Sequence, residues 1–168
     1  MPIFAGEILT ANKLELYLAK PVIQLRRRTN QSIPNNTITA IQWNEQVLID
    51  TMFYSHSTGT NPDRIVPLLP GRYWVEFTVH YAANATGDRR AYVGVNGSAL
   101  APVHRSINLS NAASTTRMGR IVECDGSSTT ITALTLQSSG SSLDVVGASG
   151  IADTFQSFFS MHYIGPSF

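Results

Sequence analysis

Charge is what this chain has least of. Lys, Arg, Asp and Glu supply 14% of its 168 residues, against roughly 25% in a typical soluble domain. The 12 cations and 11 anions leave a formal net charge of +1. That balance argues against a general electrostatic binder of nucleic acid, which would carry a basic domain. Cysteine is scarcer still. With Cys124 alone, neither an internal disulfide framework nor a multi-cysteine zinc site is open to the chain. No apolar run approaches the ~18 residues of a membrane span, and Met1 to Gly6 lacks the basic stretch that opens a signal peptide. The expectation is a protein made in a cytoplasm that stays soluble or is assembled there. Sequons at Asn30, Asn35, Asn84, Asn96 and Asn108 are what an Asn/Ser/Thr-rich chain contains by chance, and their use would require secretion.

Small polar residues stand in place of charge: 17 Ser, 16 Thr and 10 Asn, while the apolar share stays at an ordinary 43%. The polar tracts alternate with apolar residues throughout, a pattern foreign to disorder. The length fits one domain with a short appendage and a full core.

The helical pattern is confined to the start. From Ile8 to Ala19, Ala11, Leu14 and Leu18 recur at three and four residues, with Thr10 as N-cap and Lys20-Pro21 as the stop. So short a helix is marginal alone and needs a surface, either on its own domain or on a neighbouring subunit. The expected division is a docking arm over 1–21 and a β domain over 22–168.

After Pro21 the period becomes two. In Arg72 to Tyr81, residues Tyr73, Val75, Phe77, Val79 and Tyr81 share one face; Trp74, Glu76, Thr78 and His80 share the other. Pro70-Gly71 precedes this strand as a turn, and Asn84 to Asp88 follows as another. Arg90 to Val95 returns and ends in Asn96-Gly97, a hairpin signal. Further strands are expected at 22–28, 37–43, 46–54, 64–69, 102–109, 115–124, 129–137, 143–147 and 155–164, a spacing that suits an all-β sandwich or barrel. The segment 155–164 carries large apolar groups on both faces, which predicts burial on two sides.

The order of these segments resembles a known family. Asn61-Pro-Asp-Arg-Ile65, Pro70-Gly-Arg-Tyr-Trp-Val75, Gly87-Asp-Arg-Arg90 and Val95-Asn-Gly97 follow one another as in the tumour-necrosis-factor and complement globular-head jelly roll. Leu136 to Gly140 with Ser142-Leu143 is similar to the later strand pair, and Phe158 to Gly165 to the closing hydrophobic strand. The likeness covers about residues 30 to 165. The usual L-x-x-G-D-x-V is replaced by Glu123 to Thr130. Ala5-Gly-Glu-Ile-Leu-Thr-Ala11 followed by Leu14 resembles the opening of small virion proteins of tailed phages of actinobacteria, where it precedes a similar β domain. The resemblances imply an antiparallel jelly-roll sandwich preceded by a short helical or extended arm, trimeric and structural.

Chemistry finds no constellation to use. His56, His80, His104 and His162 lack metal-ligand spacing; His80, opposite the apolar face of its strand, reads as a surface or interface residue. Cys124 between Glu123 and Asp125 sits in an acidic setting that raises a thiol pKa. Asp125-Gly-Ser-Ser reads as a β-turn, well short of the ~6 oxygen ligands of a calcium site. Asp50, Asp63, Glu76, Asp88 and Asp144 are too dispersed for a glycosidase pair. No catalytic, cofactor or metal residue is therefore nominated.

Arg26-Arg27-Arg28 is the one charge run. It reads as a solvated, aggregation-resistant edge strand, as an ion-pairing contact to an acidic neighbour in an assembly, or, least of all, as a contact to packaged DNA. Aromatic residues concentrate on 73–81 and 155–163. A strand apolar on both faces suits a trimer axis; its rival is a core strand covered by a loop in a monomer.

The expectation is a non-enzymatic virion protein: a homotrimeric decoration protein that cements the major capsid protein from outside, without membrane or specific nucleic-acid partners or cofactor. Ile8, Leu14, Leu18, Arg26, Arg27 and Arg28 are candidate shell contacts; Phe155, Phe158, Phe159 and Tyr163 are candidate trimer contacts. The alternative is a tail-tip or fibre head that binds a host receptor through loops such as Ser55 to Asp63.

Overall fold

A computed structural model describes residues 21–101, 104–107, 112–148 and 156–167. The expected helix over Ile8 to Ala19 lies outside them. The described residues form strands and connections only. The first strands are β1 (Val22–Arg26), β2 (Gln31–Ile33), β3 (Thr39–Ala40), β4 (Glu45–Ile49), β5 (Tyr54–Ser55) and β6 (Val66–Pro67). Next come β7 (Pro70–Tyr81) and β8 (Asp88–Val95), which enter different sheets rather than pairing as a returning strand would, then the short β9 (Ser98–Ala99) and β10 (His104–Ile107). The chain closes with β11 (Ser114–Asp125), β12 (Ile131–Gln137), β13 (Leu143–Val145) and β14 (Phe158–Gly165).

They build two main antiparallel sheets, with β5 and β6 paired apart from them. The larger runs β2-β13-β7-β14-β1-β4, with β11 also paired to β7; the smaller runs β10-β8-β12-β3, with β9 on β8. Alternation explains the layering. Along β7, Tyr73, Val75, Phe77, Val79 and Tyr81 are all fully buried, and the residues between them point outward. The smaller sheet answers with Ala91, Val93, Ile131 and Ala133. Each large apolar side chain enclosed this way stabilises by roughly 1.5–3 kcal/mol relative to exposure. Trp43 and Phe159 meet at 5.9 Å between ring centroids, and Tyr73 takes Tyr54 and Tyr163 edge-on at 6.0 and 5.3 Å. The expected hairpin is present: Asn96 and Gly97 both have positive φ (50° and 79°) and join β8 to β9.

Other expected strands are cut by local hydrogen bonds. Asp50 captures the 46–54 run: its carbonyl accepts from the N–H groups of Phe53 and Tyr54, and its Oδ1 accepts from that of Met52. The chain therefore turns between β4 and β5. The 37–43 run contributes only β3, while β2 forms where no alternation marked it, by pairing Gln31–Ile33 with β13.

Candidate functional site

The outward face of the larger sheet carries the groups most suited to recognition. Register fixes their rows. Val22, His162, Trp74 and Ile121 stand side by side across β1, β14, β7 and β11. The next row brings Leu48, Gln24, Ser160, Glu76 and Gly119 together, and the one after it Arg26, Phe158, Thr78 and Arg117. Ile121 is 50% exposed and Leu48 49%, while Trp74, Phe158 and His162 are half-buried. Glu76 accepts from Arg117 Nη2 at 3.4 Å and from Trp74 Nε1 at 3.5 Å. A cavity of about 400 Å³ opens beside Phe158, between Arg26, Val47, Glu76 and Gln156.

The Arg run does not act as one unit. β1 lies between β14 and β4, so it is an interior strand, not an edge. Arg26 grips Glu45 with two bonds, Nε to Oε2 at 2.9 Å and Nη2 to Oε1 at 2.7 Å, and reaches Gln156 Oε1 at 3.0 Å. Arg28 adds a bond to the same Glu45 at 3.2 Å and keeps a 60% exposed side chain. The hydrogen bond from Arg26 is the main reason the Glu45 carboxyl titrates below its ordinary value. Arg27 corrects the expectation of a shell contact. It is buried, and donates to the carbonyls of Thr29 at 2.6 Å, Gln42 at 2.5 Å and Asn30 at 3.0 Å. Its guanidinium is spent on closing the chain's own loops.

Two of the trimer candidates also sit differently from expectation. Phe159 has no exposed surface and packs on Trp43 in the core, so it cannot touch a neighbour. Tyr163 is half-buried against Tyr73. Phe158 does lie on the outward face, opposite Thr78 and Arg26. Phe155, Ile8, Leu14 and Leu18 fall outside the described residues.

The titratable groups explain structure before they suggest catalysis. His80 corrects its reading as a surface residue: it is 6% exposed, its N–H donates to Ser157 Oγ and its Nδ1 meets Thr115 Oγ1 at 2.9 Å. Burial holds its pKa below the ordinary imidazole value, as it does for His56. His56 ties its loop together, with Nε2 donating to the Pro62 carbonyl and Nδ1 accepting from Gln46 Nε2. Cys124 is buried; that burial, with Asp125 second, pushes the thiol up to about 12, far from a working nucleophile. The Asp125 carboxylate turns back on its own loop, accepting from the Ser128 hydroxyl and the N–H groups of Ser127, Ser128 and Thr129. Among the described residues no three His, Cys, Asp or Glu side chains gather as metal ligands.

One cluster escaped the sequence. The buried Asp88 carboxylate accepts from Arg90 at 2.8 Å, Arg105 at 2.5 Å and the Ser138 hydroxyl. Burial works to raise its pKa, and these three bonds more than reverse that, holding it at about 2. The signal was the adjacency of Asp88 to Arg89-Arg90, but Arg105 comes from β10 and Ser138 from just past the end of β12.

No protein-family model matches the chain, and no curated protein matches it. Solved structures do. Murine APRIL at pH 5.0 superposes with a TM-score of 0.61 at 14% identity, covering 86% of this chain and 98% of that one. The globular domain of the zebrafish complement 1qA protein gives 0.59 at 10%, covering 88% and 100%. Eiger TNF from S. frugiperda gives 0.62 at 6%, covering 88% and 96%. At such identities the likeness is one of fold. The chain has the antiparallel jelly roll of the tumour-necrosis-factor and complement globular-head proteins.

Proposed function

We propose that this chain is a non-enzymatic virion protein that trimerises and decorates the head shell of a tailed phage. The outward face of the larger sheet carries the reading: Trp74, Phe158, Ile121 and Leu48 make it apolar enough to favour covering, while Glu76 and Arg117 give it a polar register. Closed threefold symmetry hides such a face on every subunit at once. The jelly-roll fold is one that the resembled family uses in trimers, and Ala5 to Leu14 supplies the link to phage virion proteins. Arg26 and Arg28, sharing Glu45, stand at the side of this face with one guanidinium still open to a shell partner.

Two measurements test it. Sedimentation equilibrium should return three times the 18.3 kDa chain mass; a monomer across the accessible concentration range would overturn the assembly. Chain lacking residues 1–20 should remain trimeric and fail to bind purified heads stripped of the protein. Full occupancy by the truncated form would remove the arm's role, and adsorption of the purified protein to host cells would favour a receptor-binding head instead.

A further inference from the structure

An imidazole sits inside the surface just assigned to self-association. His162 is half-buried on β14, in the row that runs Val22, His162, Trp74, Ile121. Its cross-strand neighbours are therefore apolar on both sides. Along β14 the positions two residues away are Ser160 and the 41% exposed Ile164. Among the described residues neither ring nitrogen of His162 has a hydrogen-bond partner.

Charged groups approach it from the neighbouring strands. On β7, Arg72 lies on one diagonal and Glu76 on the other. β11 adds Glu123 opposite Arg72, and Arg117, which bonds Glu76. β1 adds Arg26, and past β4 comes Asp50, whose N–H donates to the Val22 carbonyl at 3.3 Å. Glu76 is already engaged by Arg117 and Trp74 Nε1, and Arg72 Nε donates to the Pro166 carbonyl at 3.0 Å. Carboxylates and guanidiniums keep their charge near neutral pH, whereas an imidazole changes its own around pH 6.5. The other histidines lie elsewhere. His80 shares the parity of this face but is enclosed at its far end, His56 lies between β5 and β6, and His104 belongs to the smaller sheet.

While the face is open, water solvates a charged ring. Covering the face strips that water away between Val22 and Trp74, where this chain offers no acceptor in exchange. A charge so enclosed is costly, and the ring sheds its proton instead. We propose that His162 makes self-association pH-dependent, the trimer forming with neutral imidazoles and loosening in acid. The sign follows from linkage: the separated chains bind protons that the trimer does not, so dissociation gains as pH falls below ~6.5. This control rests on the trimer proposed above and adds a regulator to the same face.

Sedimentation equilibrium of the full chain over a dilution series, at pH 7.5 and pH 5.5, tests it. The parent's half-dissociation concentration should rise by ~10-fold or more at the lower pH, with the far-UV spectrum unchanged. His162→Gln, which takes up no proton, should hold that rise below ~2-fold, and His80→Gln should leave it as in the parent. Dilution calorimetry of the parent at pH 6.5, in two buffers of unlike ionisation heat, needs no variant and should show protons taken up on dissociation. A trimer equally tight at both pH values, a rise that survives in His162→Gln, or dissociation without proton uptake would each overturn the control and leave the trimer standing. A monomer at both pH values would overturn the trimer and the control with it.

Discussion

The Trp74 indole lies against the α-carbon of Gly119 on the neighbouring strand: a β-carbon placed on Gly119 would stand 2.8 Å from Trp74 Cζ2. The residue paired directly opposite Trp74 is Ile121, so the ring reaches along the sheet to the one position where no side chain obstructs it. A glycine in a strand interior ordinarily weakens the strand; here it lowers the outward face so that an aromatic ring can cover it.

Gly119→Val should therefore separate folding from assembly. Valine suits a strand, but its side chain lifts the indole out of the plane in which a neighbour would meet it. Sedimentation over a dilution series should show trimer dissociation at ~10-fold or more higher concentration, while the monomer's far-UV spectrum is unchanged. A variant that associates as tightly as the parent would show that Trp74 plays no part in the contact.

The three arginines should behave unalike on substitution. Arg27→Ala leaves the carbonyls of Thr29, Asn30 and Gln42 without their donor and should cost about 2–4 kcal/mol in urea unfolding. Arg28→Ala, at a 60% exposed side chain, should stay within ~0.5 kcal/mol. Equal losses would contradict the geometry.

Asp88→Asn should be the most damaging single change on the smaller sheet, since it removes the charge that Arg90 and Arg105 share. A carboxyl whose folded pKa lies below its unfolded one stabilises above the unfolded value and loses that stabilisation as pH falls through the folded one. With an ordinary value of 3.8 and a folded one of about 2, the window is pH 3.8 to 2, and the contribution at neutral pH is on the order of 2 kcal/mol. Parent and Asp88→Asn melting temperatures should converge across that window on acidification.

His56 and His80 act with the opposite charge. Burial lowers both pKa values from 6.5, so the unfolded chain binds protons first and stability falls as pH drops below 6.5. At His56 the added proton occupies Nδ1, which accepts from Gln46 Nε2 in the neutral ring. The melting temperature should therefore fall between pH 7 and 5, and His80→Gln should flatten the slope. A melting temperature flat over this range would contradict both burials.

Alternation made β7 readable, because one face of it is covered and the other is not, and Asn96-Gly97 was readable because few residue pairs tolerate two positive φ angles. Arg26 to Arg28 was misread for the opposite reason. A run of like charge looks solvated until Glu45 and the Gln42 carbonyl arrive from farther along the chain and the carbonyls of Thr29 and Asn30 fold back on Arg27. For His80 the parity was right and the exposure wrong, since Ser157 closes over the end of β7. The outward face could be anticipated from Trp74 and Phe158. Its rows depend on which strands become neighbours.

The chain enters the sheet at Pro21, whose carbonyl accepts from the Tyr54 hydroxyl at 2.8 Å and the Tyr163 N–H at 3.4 Å. It then passes at once into β1, which is laddered to β14 on one side and β4 on the other. Any pull directed along β1 is thus divided between two ladders, whereas an edge strand would bear it on one.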